Sequence, residues 1–350
     1  MTPDFAIQGS ERADFRQNDH CRPPFDSAPT PIVTQTAATL PPAIALMGPT
    51  ASGKTRLAIQ LAQALQGEVI SVDSALVYRG MDIGTAKPTP AEREGVPHHL
   101  IDILDPIESF STGQFRREAL ALMTDISGRG RVPILAGGTL LYFQGLLQGL
   151  SELPAADPEV RLQIEHEANE RGWSRLHQEL ARVDPQSALR IHPNDPQRIQ
   201  RALEVFRVSG TPLSQLIAST RTPPLPFRCF KVTLAPGHRD VLNQLISTRF
   251  MRMLEQGLIE EVRKLHARED LHDDLPSMRA VGYRQVWAYL DDEYDRETMI
   301  EKAIIVTRQF AKRQRTWLRK IGEANAYESG ASTLVSTVIR DFTDFCKRHT

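Results

Sequence analysis

The amino-acid sequence predicts an α/β fold, a parallel sheet covered by helices with an all-helical insertion. Three observations predict it. Short apolar runs alternate with stretches of helical spacing. A glycine-rich turn joins the first such run to the first helical stretch. A long segment, 157–210, is rich in Glu, Arg, Gln and Ala, keeps helical spacing and offers no strand.

Residues 1–40 mix Pro, Thr, Ser, Asp and Arg without apolar periodicity and read as a disordered tail. AIALM (43–47) is a continuous apolar run, as expected of a strand buried on both faces. TRLAIQLAQAL (55–65) has helical spacing. Further strand candidates are 68–72, VPILA (132–136) and FKVTL (230–234). The third is entered through Gly130 and left through Gly137 and Gly138. The predicted division is a core of 41–150 and 216–325, a helical insertion of 151–215 and a C-terminal tail of 326–350. No internal repeat is present.

The bulk properties narrow the class. The chain has 350 residues, 41% of them hydrophobic, enough for a sizeable core. No run of about 18 apolar residues predicts a membrane span. The opening MTPDFAIQGSERADFRQ lacks the basic-then-apolar order of a signal peptide. Cys21, Cys229 and Cys346 are too scattered for a disulfide framework or a metal motif, so a reducing cytoplasm is the expected compartment. A net charge of −1 argues against a protein coated in nucleic acid but leaves room for a local basic groove. A monomer without an obligate protein partner is expected.

GPTASGKT (48–55) follows the pattern G-x-x-x-x-G-K-[ST] between a strand and a helix. The sheet is therefore expected to be P-loop NTPase-like. Gly48 and Gly53 permit a tight turn whose N–H groups point inward at an oxyanion, aided by the positive end of the next helix. Pro49, Thr50, Ala51 and Ser52 complete the loop, and Lys54 adds a mobile positive charge. The Thr55 hydroxyl suits Mg²⁺, the expected cofactor. The motif calls for a polyphosphate without naming it.

Other candidates follow the strands. Asp73 comes just after the second one, where ligands of doubly wound sheets sit. Its carboxylate suits a general base, or else a helix N-cap or a partner of Mg²⁺. GMDIGTAKP (80–88) reads as a loop near the site, with Lys87 either facing phosphate or solvated. His98 and His99 are adjacent, so on a strand they point to opposite faces and cannot share an ion; a structural role is expected. Gly137-Gly138-Thr139 allows close approach by a ligand and offers a hydroxyl, or is a plain turn with Thr139 as N-cap.

Five segments together resemble the tRNA dimethylallyltransferase family: GPTASGKT (48–55), SVDSALVYRGMDIGTAKP (71–88), AGGTLLYFQGLL (136–147), HPNDPQRIQRALEV (192–205) and SMRAVGYRQVW (277–287). The resemblance spans about 43–320 and leaves the N-terminal 40 residues without a counterpart. It implies transfer of a dimethylallyl group from dimethylallyl pyrophosphate to N6 of the adenosine just 3′ of the anticodon, position 37. It implies Asp73 as general base, Thr139 near the target adenosine, and the P-loop with Arg249 of STRFMRML (247–254) around the pyrophosphate. It implies tRNA contacts at Asp73, Ser74, Ala75, Leu76, Thr139, Arg161, Gln197, Arg198, Ile199, Gln200, Arg201, Ser277, Met278, Arg279, Ala280, Val281 and Gly282, with the insertion on the anticodon stem.

Charge patterning adds two expectations. Arg198, Arg201 and Arg207 recur at helical spacing, and RQFAKRQRTWLRK (308–320) holds six basic residues and Trp317. Both stretches suit an RNA backbone, and both also suit a solvated helix face. The strongest alternative to the prenyl transferase is a P-loop small-molecule or nucleotide kinase, which shares the cradle and an acid after the second strand. A non-catalytic RNA binder with a vestigial P-loop is disfavoured by the intact Gly53, Lys54, Thr55 and Asp73.

Overall fold

Strand β1 (Pro42–Met47) alternates its apolar side chains between two cores, and that alternation sets the layers of the fold. The computed structural model describes residues 40–151, 153–219 and 224–348. All but the last residue of the predicted tail 1–40, and part of the Pro-rich segment, 220–223, lie outside the described residues. After β1 come α1 (Lys54–Leu65), β2 (Gly67–Val72), β3 (His98–His99), α2 (Thr112–Gly128), β4 (Val132–Gly137) and α3 (Leu140–Leu147). The insertion is α4 (Pro158–Arg171), α5 (Trp173–Val183), α6 (Pro185–Arg190), α7 (Pro196–Ser209) and α8 (Leu213–Ser219). The chain then forms β5 (Arg228–Ala235), α9 (Arg239–Glu255), α10 (Leu258–His266), α11 (Tyr283–Leu290), α12 (Arg296–Leu318), β6 (Asn325–Glu328) and α13 (Leu334–Lys347).

The sheet order is β3-β2-β4-β1-β5-β6, and all its pairings are parallel. Ala43, Ala45 and Met47 face one core with Phe115 and Met123 of α2 and Phe143 of α3. Ile44 and Leu46 face the other, with Leu57 and Leu61 of α1. The insertion buries its own core around Ile164, Leu180, Ile199 and Leu203. Helices α9 to α12 form a further layer over Val77, Tyr78 and Met81.

The expected C-terminal tail, 326–350, is corrected by the structure. Residues 325–328 pair in parallel with β5, and α13 packs Val338 and Phe342 onto the α1 face. The segment is a sheet edge and its covering helix. A four-residue strand, exposed at three of its positions, has no apolar run to betray it.

The histidine pair takes the structural role expected. His98 bonds the Val96 carbonyl, and His99 Nε2 lies 2.7 Å from Glu68 Oε2. The Glu68 side chain is 3% exposed, is gripped by both terminal nitrogens of Arg129, and has Arg131 at 3.5 Å. The Arg129 hydrogen bonds are the chief reason its carboxyl is held down to about 2, against 4.5 ordinarily. Such a group stabilises the fold fully above about pH 4.5 and loses that contribution as pH falls toward 2. Glu68→Gln is expected to cost about 2 kcal/mol at pH 7, discounted because Arg129 is half exposed. It should also flatten the fall in stability between pH 4.5 and 2, read by urea unfolding across that range. An unchanged acid limb would contradict this account.

Candidate active site

One cavity of about 450 Å³ opens beyond the carboxyl ends of β1, β2 and β4. Its walls come from the P-loop, the β2 turn, the β4–α3 junction, α9, the loop before α11, and α12.

The P-loop turns as its glycines allow. Gly53 caps α1 at φ 84°, a left-handed conformation that suits glycine. Lys54 Nζ donates to the Pro49 carbonyl at 2.6 Å and stands beside Arg249. Loss of water on burial, then repulsion from Arg249, pushes the Lys54 ammonium down to about 7, with Asp73 opposing. Burial also lowers Arg249, again against Asp73. Arg249 is fixed by a 3.3 Å bond from Nη2 to the Thr85 carbonyl. Two buried cations facing one carboxylate leave this part of the cavity with surplus positive charge, which suits an anion.

Asp73 is not an N-cap. It lies in a turn, where Oδ1 accepts the Ala75 N–H at 2.9 Å. Thr139 begins α3 but makes no capping bond with its side chain. Its hydroxyl instead accepts the Ser74 N–H at 3.0 Å, next to Asp73. The two turns are close because Gly137 packs against β2: a Cβ there would sit 2.0 Å from the Val72 carbonyl oxygen. Any side chain at 137 would drive Thr139 away from the carboxylate.

The predicted loop 80–88 forms another wall, by means the sequence did not advertise. Glu261 of α10 accepts the N–H groups of Asp82, Ile83 and Gly84 at 2.8 to 3.1 Å, and the Tyr283 hydroxyl at 2.5 Å. That clamp sets the loop whose Thr85 holds Arg249. Lys87 faces no phosphate; it is buried on Asp82, Asp102 and the Tyr78 carbonyl.

Of the residues singled out in sequence, Thr50, Ala51, Lys54, Thr55, Asp73–Leu76, Thr139, Arg249, Ser277 and Arg279–Gly282 line this cavity. Gly48, Pro49, Ser52 and Gly53 build the loop behind it. Arg161, Gln197, Arg198, Ile199, Gln200 and Arg201 belong to the insertion instead. Ile199 and Met278 are fully buried, which corrects the expectation of RNA contact through those two side chains. Ser277 is buried too, with its hydroxyl on the Pro106 carbonyl. Arg161 and Arg201 converge on the buried Glu204, and Arg207 bridges Glu167 and Glu179. These three arginines therefore hold the insertion together. Arg313, one of the six basic residues of 308–320, also lines the cavity, and sequence reasoning missed Tyr78, Phe250, Phe310 and Gln314 there; helical spacing alone does not tell a cavity face from a core face.

For a metal, the cavity offers the Thr55 hydroxyl, which makes no hydrogen bond among the described residues, and one carboxylate, Asp73. His272, Asp273 and Asp274 gather elsewhere, exposed and outside the cavity.

The profile of the IPP transferase family matches residues 76–321. The chain belongs to the IPP transferase family. It is 63% identical to the tRNA dimethylallyltransferase of Methylococcus capsulatus, over 85% of this chain and 96% of that one. It is 60% identical to the tRNA dimethylallyltransferase of Nitrosococcus oceani, over 82% and 90%. Among solved structures it resembles the full-length tRNA isopentenylpyrophosphate transferase of Bacillus halodurans, with a TM-score of 0.64, 38% identity, and coverage of 88% of this chain and 96% of that one. It also resembles a eukaryotic dimethylallyltransferase acting on tRNA, with a TM-score of 0.75, 28% identity, and coverage of 89% and 80%. These relatives are dimethylallyl and isopentenyl transferases acting on tRNA, and that favours prenyl transfer over the kinase alternative. Among the described residues no helix is long and apolar enough to cross a membrane.

Proposed function

We propose that this member of the IPP transferase family moves a dimethylallyl group from dimethylallyl pyrophosphate to N6 of adenosine 37 in tRNA and releases pyrophosphate. The observation that carries the reading is the shared cavity: an anion cradle and a carboxylate open to one space. Family membership supports the choice of substrates, and the geometry supports the roles proposed below.

The P-loop N–H groups, Lys54 and Arg249 would hold the diphosphate and stabilise charge as the allylic C–O bond loosens. The adenine amine is a weak nucleophile, because its lone pair is conjugated into the ring. Asp73 would accept its proton as the C–N bond forms. Thr139, tied to the Ser74 amide, keeps that turn in place beside the cradle. Mg²⁺ fits here when carried largely by the diphosphate, with Thr55 as its protein ligand, and it would neutralise charge on the leaving group.

The target base has to be splayed from its stack to enter, which an unpaired anticodon loop makes easier. For the RNA backbone, α12 offers the stronger surface. Lys312, Arg315, Arg319 and Lys320 form no ion pairs among the described residues, and Trp317 is exposed beside them. In the insertion, exposed Gln197 and Arg198 at the start of α7 remain available, Arg198 with only a 3.4 Å pair to Asp195. They are the proposed points of contact with the anticodon stem.

Incubation of the purified protein with labelled dimethylallyl pyrophosphate and unmodified tRNA, followed by nucleoside analysis, is expected to yield N6-dimethylallyl adenosine at position 37. Label transfer only from the γ-phosphate of ATP would overturn the reading.

A further inference from the structure

Gln314 is a polar side chain on an otherwise apolar inner face of α12. It shares that face with Met299, Ala303 and Ala311, and it is 4% exposed. A buried amide has to satisfy a donor and an acceptor, and Gln314 does so across two different loops. Its Oε1 accepts the Thr50 N–H of the P-loop at 2.9 Å. Its Nε2 donates to the Gly138 carbonyl at 2.8 Å. The fit is tight, because a Cβ on Gly138 would lie 2.5 Å from Nε2.

Those two loops carry the two halves of the site. Thr50 belongs to the cradle. Gly138 precedes Thr139, whose hydroxyl accepts the amide beside Asp73. Three hydrogen bonds, joined through the Gly138–Thr139 backbone, thus link Thr50, Gln314 and the Asp73 turn. Backbone pairing also joins β1 to β4 as far as Met47 and Gly137, and β2 to β4 as far as Val72, whose carbonyl accepts the Thr139 N–H at 3.1 Å. Beyond the sheet edge, the amide of Gln314 is a direct tie between the P-loop and the β4–α3 turn.

We propose that Gln314 is a positioning residue: its amide sets the distance between the diphosphate cradle and the Asp73–Thr139 pair, and so the alignment of leaving group, allylic carbon and amine. The inference rests on the transfer reaction proposed above. Alignment is the quantity at stake, since a misplacement of about 1 Å costs about 100-fold in rate. Each substrate keeps its own contacts when the tie is cut, so the loss falls on turnover rather than on binding.

Gln314→Met keeps the length and removes both hydrogen bonds. Gln314→Glu keeps an acceptor for Thr50 and loses the donor to Gly138. For Gln314→Met, kcat is expected to fall about 10- to 100-fold. Its KM for both substrates should stay within about threefold, and its tRNA-binding stoichiometry should remain at the wild-type value. That stoichiometry separates a misaligned site from a partly inactive preparation. Amide exchange at Thr50, read by mass spectrometry of the peptide that carries it, should quicken in Gln314→Met and stay slow in Gln314→Glu. A Met variant with wild-type kcat, or with Thr50 exchange unchanged, would overturn the proposal. Should the wild-type protein itself transfer nothing to tRNA, the proposed reaction falls, and the exchange measurement alone decides whether the bridge exists.

Discussion

Asp73→Asn is expected to lower kcat for prenyl transfer by about 10²- to 10⁴-fold while leaving tRNA affinity near the wild-type value. The substitution is nearly isosteric. The amide oxygen can still accept the Ala75 N–H that fixes the turn, so the local fold survives. What is lost is an acceptor for the N6 proton. What stays is the cradle, with Lys54 and Arg249, so the leaving group is still bound. Single-turnover transfer with saturating substrates reads the chemical step, and filter binding reads tRNA affinity. A variant that turns over within tenfold of wild type would remove Asp73 from the base role. Loss of tRNA binding in step with turnover would make it an RNA contact instead.

The catalytic core was legible in the sequence because its parts are local. A strand, a glycine turn and a helix sit within 25 residues, and backbone geometry does the rest. Asp73 and Thr139 were legible as residues just past strands. What decides their roles is not local. The Thr139 hydroxyl turns to Ser74 rather than capping α3, because Gly137 brings two strand ends into contact. Glu261 and Gln314 were invisible for the same reason. Each is an ordinary polar residue in a helical pattern, and its partners lie 177 to 179 and 176 to 264 positions away along the chain.

The arginines of the insertion teach the converse. Helical spacing made Arg198, Arg201 and Arg207 look like one basic stripe. Glu204, Glu167 and Glu179 absorb two of the three, and Glu204 is itself fully buried. A buried carboxylate needs paired cations, so part of a helix's charge is committed before any ligand arrives. Along α12 and its C-cap, no carboxylate among the described residues pairs with Lys312, Arg315 or Arg319, and the charge there remains on offer. Charge density in the sequence is the same signal in both cases; only the tertiary partners separate them.

Lys54→Met is expected to lower kcat/KM for the prenyl diphosphate by about 10²- to 10³-fold without loss of stability at pH 7. Methionine keeps most of the stem and removes the charge. The catalytic loss is expected from the proposed role of Lys54: Nζ lies in the cradle, where the proposed reaction would develop negative charge on the leaving diphosphate. The stability follows from the lowered ammonium value of about 7: burial, then Arg249, penalises the charged form. The unfolded chain holds its proton up to about pH 10.5, so the penalty is complete below about pH 7 and fades as pH rises toward 10.5. Thermal unfolding should therefore place Lys54→Met at or above wild type at pH 6.5, with the gap narrowing toward pH 9.5. Bound pyrophosphate should invert the order, because the anion stabilises the wild-type ammonium and finds nothing to pair with in the variant. A variant less stable than wild type in the absence of ligand would mean that Lys54 serves the fold first. A lysine penalised by burial and relieved by a bound anion would mark a binding cradle rather than a structural salt bridge.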